Sequence, residues 1–149
     1  MKILMLSPLP PPSGGIASWT QRFLQSSQAK LNEIDIVNTA IIGKRKSQLN
    51  RMHIIDEFKR TLDIIKNLKR KLRKFSPDIV HLNTSCSSLG LIRDCLCGHI
   101  IKRNKTKLLV HCHCDVKYMI NNRLADFFLK ILVREADVII TLNNSSQSF

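Results

Sequence analysis

Acidic residues are scarce in this chain: 11 Asp and Glu stand against 24 Lys and Arg, a net charge of +13 over 149 residues. An excess of this size attracts polyanions, whether nucleic acid, anionic lipid or phosphorylated substrates. Aromatic residues are few as well, one Trp, one Tyr and six Phe, mostly at core-like positions. They leave few platforms for stacking bases, which argues against a single-strand nucleic-acid module. Nowhere does the chain approach the run of about 18 uncharged apolar residues that crosses a bilayer. The apolar run after Lys2 breaks at Pro8, too short for the core of a signal peptide. The expectation is a cytoplasmic protein, peripheral at the inner face of a membrane if it meets one.

Other absences narrow the chemistry. There is no Gly-Lys-Ser/Thr, hence no P-loop, and no spaced Gly-x-Gly-x-x-Gly. The second strand-like run ends at Asn38-Thr39 instead of an acidic residue, so a dinucleotide dehydrogenase is not expected. The five cysteines are odd in number and lie inside apolar segments, as free thiols in a reducing compartment do.

What is present is alternation. Strand-like runs recur at Ile3 to Leu6, Ile34 to Val37, Asp78 to Leu82, Lys107 to His111 and Asp137 to Leu142, with helix-patterned segments between them. That order predicts an α/β open parallel sheet flanked by helices. Ile16, Trp19, Phe23 and Leu24 mark a first helix. Roughly Arg51 to Phe75 forms the longest, with Phe58, Leu62, Ile65, Leu68, Leu72 and Phe75 on one face. Leu89, Ile92, Leu96 and Ile100 mark a helix after the third strand. Ile120, Leu124, Phe127, Phe128 and Ile131 mark another after the fourth. A polar, basic loop runs from Gly43 to Ser47, and Asn143 to Ser146 reads as a helix cap close to Phe149.

Open α/β sheets bind ligands at the carboxyl ends of their strands. At that end of the first strand, Gly14 and Gly15 allow close backbone approach, and the free N–H groups of the helix starting near Ile16 favour an anion; a plain tight turn is the alternative. Asn83, Thr84 and Ser85 follow the third strand and serve either as caps or as contacts to a polar substrate. His113, at the end of the fourth strand, suits a ligand contact or a proton role, or is a structural histidine. His81, mid-strand, suits a core histidine bonded to a neighbour. The run His111-Cys112-His113-Cys114 invites zinc, but strand alternation sends the histidines to one face and the cysteines to the other, so no metal is expected. On the long helix, Lys66, Lys69, Arg70, Lys71, Arg73 and Lys74 form a basic face that is either solvated or in contact with anionic membrane.

Four segments in order, Met1 to Leu4 leading through prolines to Gly14-Gly15-Ile16, Ser76 to Leu82, Leu108 to His113 and Glu135 to Leu142, resemble the amino-terminal half of a family-4-type glycosyltransferase of the GT-B fold. The resemblance implies that residues 1–149 form a Rossmann-like acceptor-side domain, truncated before its end, and that a carboxyl-terminal donor domain with paired glutamates is absent. It implies retaining transfer of a hexose from a nucleotide-sugar donor to a polysaccharide or glycolipid acceptor, with no cofactor and no nucleic acid. Gly14 and Gly15 would lie near the donor diphosphate, Asn83, Thr84 and Ser85 near the acceptor or sugar, and His113 would be the catalytic candidate, projecting toward the transferred sugar. Asn144 and Ser145 would supply the cap after the fifth strand. Without the opposing wall these residues alone are expected to have no useful transferase activity. The alternative function is a non-catalytic basic module that docks on anionic membrane or on a protein partner.

Overall fold

A computed structural model describes residues 1–40 and 54–148. The chain is α/β, with five parallel strands in one open sheet flanked by helices, a Rossmann-like arrangement. In chain order the strands are β1 (Lys2–Ser7), β2 (Glu33–Asn38), β3 (Ile79–Thr84), β4 (Lys107–Cys112) and β5 (Val138–Ile140). The helices are α1 (Gly15–Gln25), α2 (Ser27–Lys30), α3 (Ile54–Phe75), α4 (Ser88–Arg103), α5 (Val116–Met119), α6 (Arg123–Glu135) and α7 (Asn144–Gln147). The sequence-predicted basic loop from Gly43 to Ser47 and the first residues of the long helix, 51–53, lie outside the described residues.

The strands run in the order β2-β1-β3-β4-β5. The first crossover therefore steps one way from β1, and the later ones return past β1 and continue the other way. Right-handed crossovers in opposite directions put their helices on opposite faces. Leu4, Leu6, Val80, Leu82, Leu108, Val110 and Cys112 point to the face that carries the main core. There they pack with Ile64, Leu68 and Leu72 of α3, Leu91, Cys95, Cys97 and Ile101 of α4, and Ala125, Leu129 and Leu132 of α6. Each fully buried leucine or valine in this layer contributes about 1.5 to 3 kcal/mol. The opposite face carries Met5, Ser7, His81, Asn83 and His111, the alternate residues of the same strands. Trp19 of α1 lies over its histidines, 5.5 Å from His81 and 5.0 Å from His111 between ring centroids, and Phe23 stacks on Trp19 at 5.3 Å.

Helix faces depart from the expected stripes. In α4, Leu89 and Leu96 are exposed, while Leu91, Cys95, Cys97 and Ile101 are buried together with Arg93 and Asp94. The reason is enclosure: α4 packs on the sheet, on α3 and on α6, so it has no single buried stripe. At Gly98 a Cβ would sit 3.2 Å from Leu132 Cδ1, so the glycine permits the close approach of α4 to α6. In α6 the buried residues are Ala125, Leu129 and Leu132, whereas Leu124 and Phe127 face solvent. In α3 Ile64 replaces Phe58 and Leu62 on the packed face, and both of these are exposed. β5 is shorter than the predicted Asp137 to Leu142, and all three of its residues are exposed along the sheet edge. The last cap is Asn143, whose Oδ1 accepts from Ser146 N at 2.8 Å, one position before the expected Asn144. The cysteines are free, and four of the five are buried.

Candidate functional site

The strand order reverses between β1 and β3, and in open α/β sheets the crevice beyond the carboxyl ends of such a pair is the ligand position. A pocket of about 370 Å³ opens there. Gly14, Gly15, Ile16 and Ala17 line it from the start of α1, Asn83 from the end of β3, Ser85 and Ser87 from the loop that follows, and Glu57, Arg60 and Arg93 from α3 and α4.

Gly14 has φ −174°, an extended conformation open to any residue, and neither Gly14 nor Gly15 has a left-handed φ. A Cβ added at either would meet nothing within 4 Å. Among the described residues neither the φ values nor the packing of this turn requires glycine, and the glycines leave bare backbone beside an open pocket. Gly14 provides no side-chain cap to α1, and the first intrahelical bond is Ser18 N to Gly14 O at 2.8 Å. The N–H groups of Gly15, Ile16 and Ala17 precede it, without intrahelical partners and at the positive end of the helix.

Beyond β3, Cys86 adopts φ 55°, a strained value for a side-chain-bearing residue. Thr84 Oγ1 holds it there by accepting from Cys86 N at 3.1 Å. Thr84 is buried and its hydroxyl shapes the loop, whereas Asn83 and Ser85 line the pocket. Ser87 is the N-cap of α4 but makes no side-chain cap bond, so a second bare helix terminus borders the same space.

Asn83 is also a link in a directed hydrogen-bond chain. Thr20 Oγ1 donates to Ile16 O at 2.8 Å, so Ser7 Oγ must donate to Thr20 Oγ1, 2.5 Å away. Asn83 Nδ2 donates to Ser7 Oγ at 3.0 Å, which leaves Asn83 Oδ1 as acceptor toward His113 Nε2 at 2.8 Å. An amide oxygen can only accept, so His113 carries its proton on Nε2 and keeps a lone pair on Nδ1. The chain links His113 to the pocket through Asn83, although its ring is not itself in the lining.

Three histidines share this face. His111 and His113 have ring centroids 3.8 Å apart, and His81 stacks on His111 at 5.6 Å. Among the described residues His81 Nε2 and His111 Nδ1 are buried without hydrogen-bond partners, so His81 lacks the expected bond at that nitrogen. Burial, followed by the neighbouring histidines, lowers His81 from 6.5 to about 4. Burial and then His111 bring His113 to about 4, and burial lowers His111. The cluster is therefore neutral at pH 7. Between about pH 6.5 and 4 the unfolded chain binds more protons at these histidines than the folded one. Their contribution to stability is thus complete above 6.5 and is lost as pH falls toward 4. Imidazole NMR titrations of His81 and His113 should show midpoints at about 4; midpoints at the ordinary value would contradict this packing.

On the other face, Cys112 packs in the core, and hydrogen bonding to the thiols of Cys112 and Cys114, followed by burial, pushes the Cys86 thiol up. Among the described residues no group of three or more His, Cys, Asp or Glu is placed to hold a metal ion.

The basic residues Lys66, Lys69, Arg70, Arg73 and Lys74 are exposed on α3 and do not line the pocket. Lys71 instead pairs with Asp35 of β2 at 2.5 Å, tying α3 to the sheet. Among the described residues no helix is long and apolar enough to cross a membrane. Sequence reasoning did not place Arg60, Arg93 or Glu57 at a site. The available signal was Arg93-Asp94, the only charged residues between Ser85 and Ile101.

The pocket thus joins two uncapped helix starts, two arginines and a polar chain ending on a neutral histidine. No protein-family model matches the chain, and no curated protein matches it.

Proposed function

We propose that this chain is the acceptor-side domain of a retaining glycosyltransferase, in which the Gly14–Gly15 loop approaches the diphosphate of a nucleotide-sugar donor. The observation that carries the reading is the pair of glycines that the fold itself does not need, set in a pocket at the strand-order reversal. A diphosphate that departs from the anomeric carbon gains negative charge. The N–H groups of Gly15, Ile16 and Ala17 and the positive end of α1 favour that charge more in the transition state than in the ground state. His113, neutral and fixed as its Nε2–H tautomer, offers Nδ1 as an acceptor for a sugar hydroxyl, and Asn83 is its positioning residue. Ser85, exposed beside Asn83, is available to acceptor hydroxyls. A second domain would bind the nucleoside and close the site against water; this domain alone leaves the donor poorly oriented and supports no useful turnover.

Calorimetric titration with UDP, GDP and ADP tests the reading. At least one diphosphate should bind, with inorganic pyrophosphate competing and the corresponding nucleoside far weaker. Equal binding of nucleoside and nucleoside diphosphate, or no binding of any, would refute it.

The exposed basic residues of α3 favour a second, compatible reading, peripheral docking on anionic membrane. Ile55, Phe58 and Leu62 at the start of the helix are also exposed and would meet the headgroup boundary. Its measure is salt-sensitive binding to anionic vesicles, lost when Lys69, Arg70 and Arg73 become Glu.

A further inference from the structure

The α3 and α4 side of the pocket carries two guanidinium groups that the diphosphate loop does not account for. Arg60 and Arg93 both line the space, Arg93 with only 8% of its surface exposed. Each has a carboxylate neighbour. Glu57 accepts from Arg60 Nη2, and a single oxygen of Asp94 accepts from Arg93 Nε at 2.9 Å and Nη2 at 2.7 Å. A guanidinium has five N–H donors, so these bonds leave both arginines with donors to spare. Among the described residues Arg60 Nε is buried with no hydrogen-bond partner.

Stability does not explain the arrangement, because a buried ion pair is often no better than an apolar pair of similar volume. The backbone at Gly90, one turn before Arg93, packs closely: a Cβ there would sit 2.6 Å from Ser87 Oγ and 3.9 Å from Arg93 Nη2. The start of α4 beside it has no side-chain cap. One buried and one partly buried planar donor group, beside a bare helix terminus, form a site rich in donors. Glu57 and Asp94 balance the charge of the two arginines, so recognition would rest on directed N–H groups more than on net charge.

We infer that this wall is a second anion subsite, which takes the phosphate of a phosphorylated acceptor, separate from the donor diphosphate at Gly14 and Gly15. The word acceptor rests on the function proposed above; the subsite itself does not. The phosphate belongs either to a sugar phosphate or to a lipid phosphate.

The test is an NMR titration of the 149-residue chain, following backbone amides and arginine side chains, at constant ionic strength and with or without saturating UDP. The probes are inorganic phosphate, glucose 6-phosphate, dihexanoyl phosphatidic acid and glucose. Phosphate-bearing probes should bind about tenfold or more tighter than glucose, with UDP present, and move the signals of Arg60, Arg93 and Gly90. An organophosphate that exceeds inorganic phosphate identifies the source, sugar or lipid; if neither does, the subsite reads phosphate alone. Arg60→Gln should weaken phosphate binding about ten- to a hundredfold. Arg93→Lys, which keeps Asp94 paired, should weaken it as well because the planar fork is lost. Glucose binding as tightly as its phosphate, strict competition between UDP and phosphate, or unchanged affinity in both variants would overturn the inference. Strict competition would leave the diphosphate reading intact. Phosphate binding at the arginines with no UDP binding would defeat the diphosphate reading and leave the subsite standing.

Discussion

Gly15→Val should reduce nucleoside diphosphate binding by about a hundredfold or more while leaving the thermal midpoint within a few degrees of the parent. The two halves of that expectation have separate causes. A Cβ at position 15 meets nothing within 4 Å among the described residues, so its methyl groups enter open pocket without straining the fold. Valine in a first helical turn costs only a few tenths of a kcal/mol in propensity. The same methyl groups hold an anion away from the N–H groups of Gly15, Ile16 and Ala17, and a charge-assisted hydrogen bond weakens steeply with distance. Calorimetry and a melting curve on the same sample check both halves. A variant that melts well below the parent would show that glycine serves the fold. A stable variant with full affinity would show that the diphosphate lies elsewhere.

Asp94→Asn should destabilise the protein by about 3 to 5 kcal/mol, a large part of the 5 to 15 kcal/mol typical of a domain. Asp94 is 3% exposed and the only described carboxylate that hydrogen-bonds to Arg93. Burial works against the Arg93 charge, yet Asp94 outweighs it and holds the guanidinium above its ordinary pKa. An asparagine can still accept a hydrogen bond through Oδ1, so what is lost is mostly charge compensation. A drop in the urea midpoint at constant slope is the expected signature. The double variant Arg93→Met with Asp94→Leu removes both charges and should lie close to the parent in stability while no longer binding phosphate. A loss below about 1 kcal/mol in the single variant would mean that the pair is effectively solvated.

The contrast between the two sites bears on what a sequence discloses. The sheet was legible because parallel strands buried on both faces read as apolar runs, as Ile3 to Leu6 and Lys107 to His111 do. Alternation within β3 and β4 correctly put His111 and His113 on the face opposite Cys112, and the glycine loop was legible from its place after β1. Helix faces were harder. Apolar periodicity assumes one wet side, and α4 has neighbours on several, so its leucines at 89 and 96 face outward while a charged pair lies inside. The arginine wall was missed for that reason. A charge in a helix is ordinarily assigned to solvent, and only the scarcity of other charges around Arg93 and Asp94 marks them. The chain from Thr20 to His113 joins residues 93 positions apart through Ser7 and Asn83, and no local pattern encodes such a link.

The most direct test of the central claim is to locate a bound nucleoside diphosphate by the amides it moves. With UDP, or whichever diphosphate binds best, the largest shifts should fall on Gly15, Ile16 and Ala17, the matching nucleoside should leave those amides still, and His113 should keep its Nε2–H tautomer. Binding that perturbs α3's exposed lysines and leaves the amides of residues 15–17 in place would contradict the account.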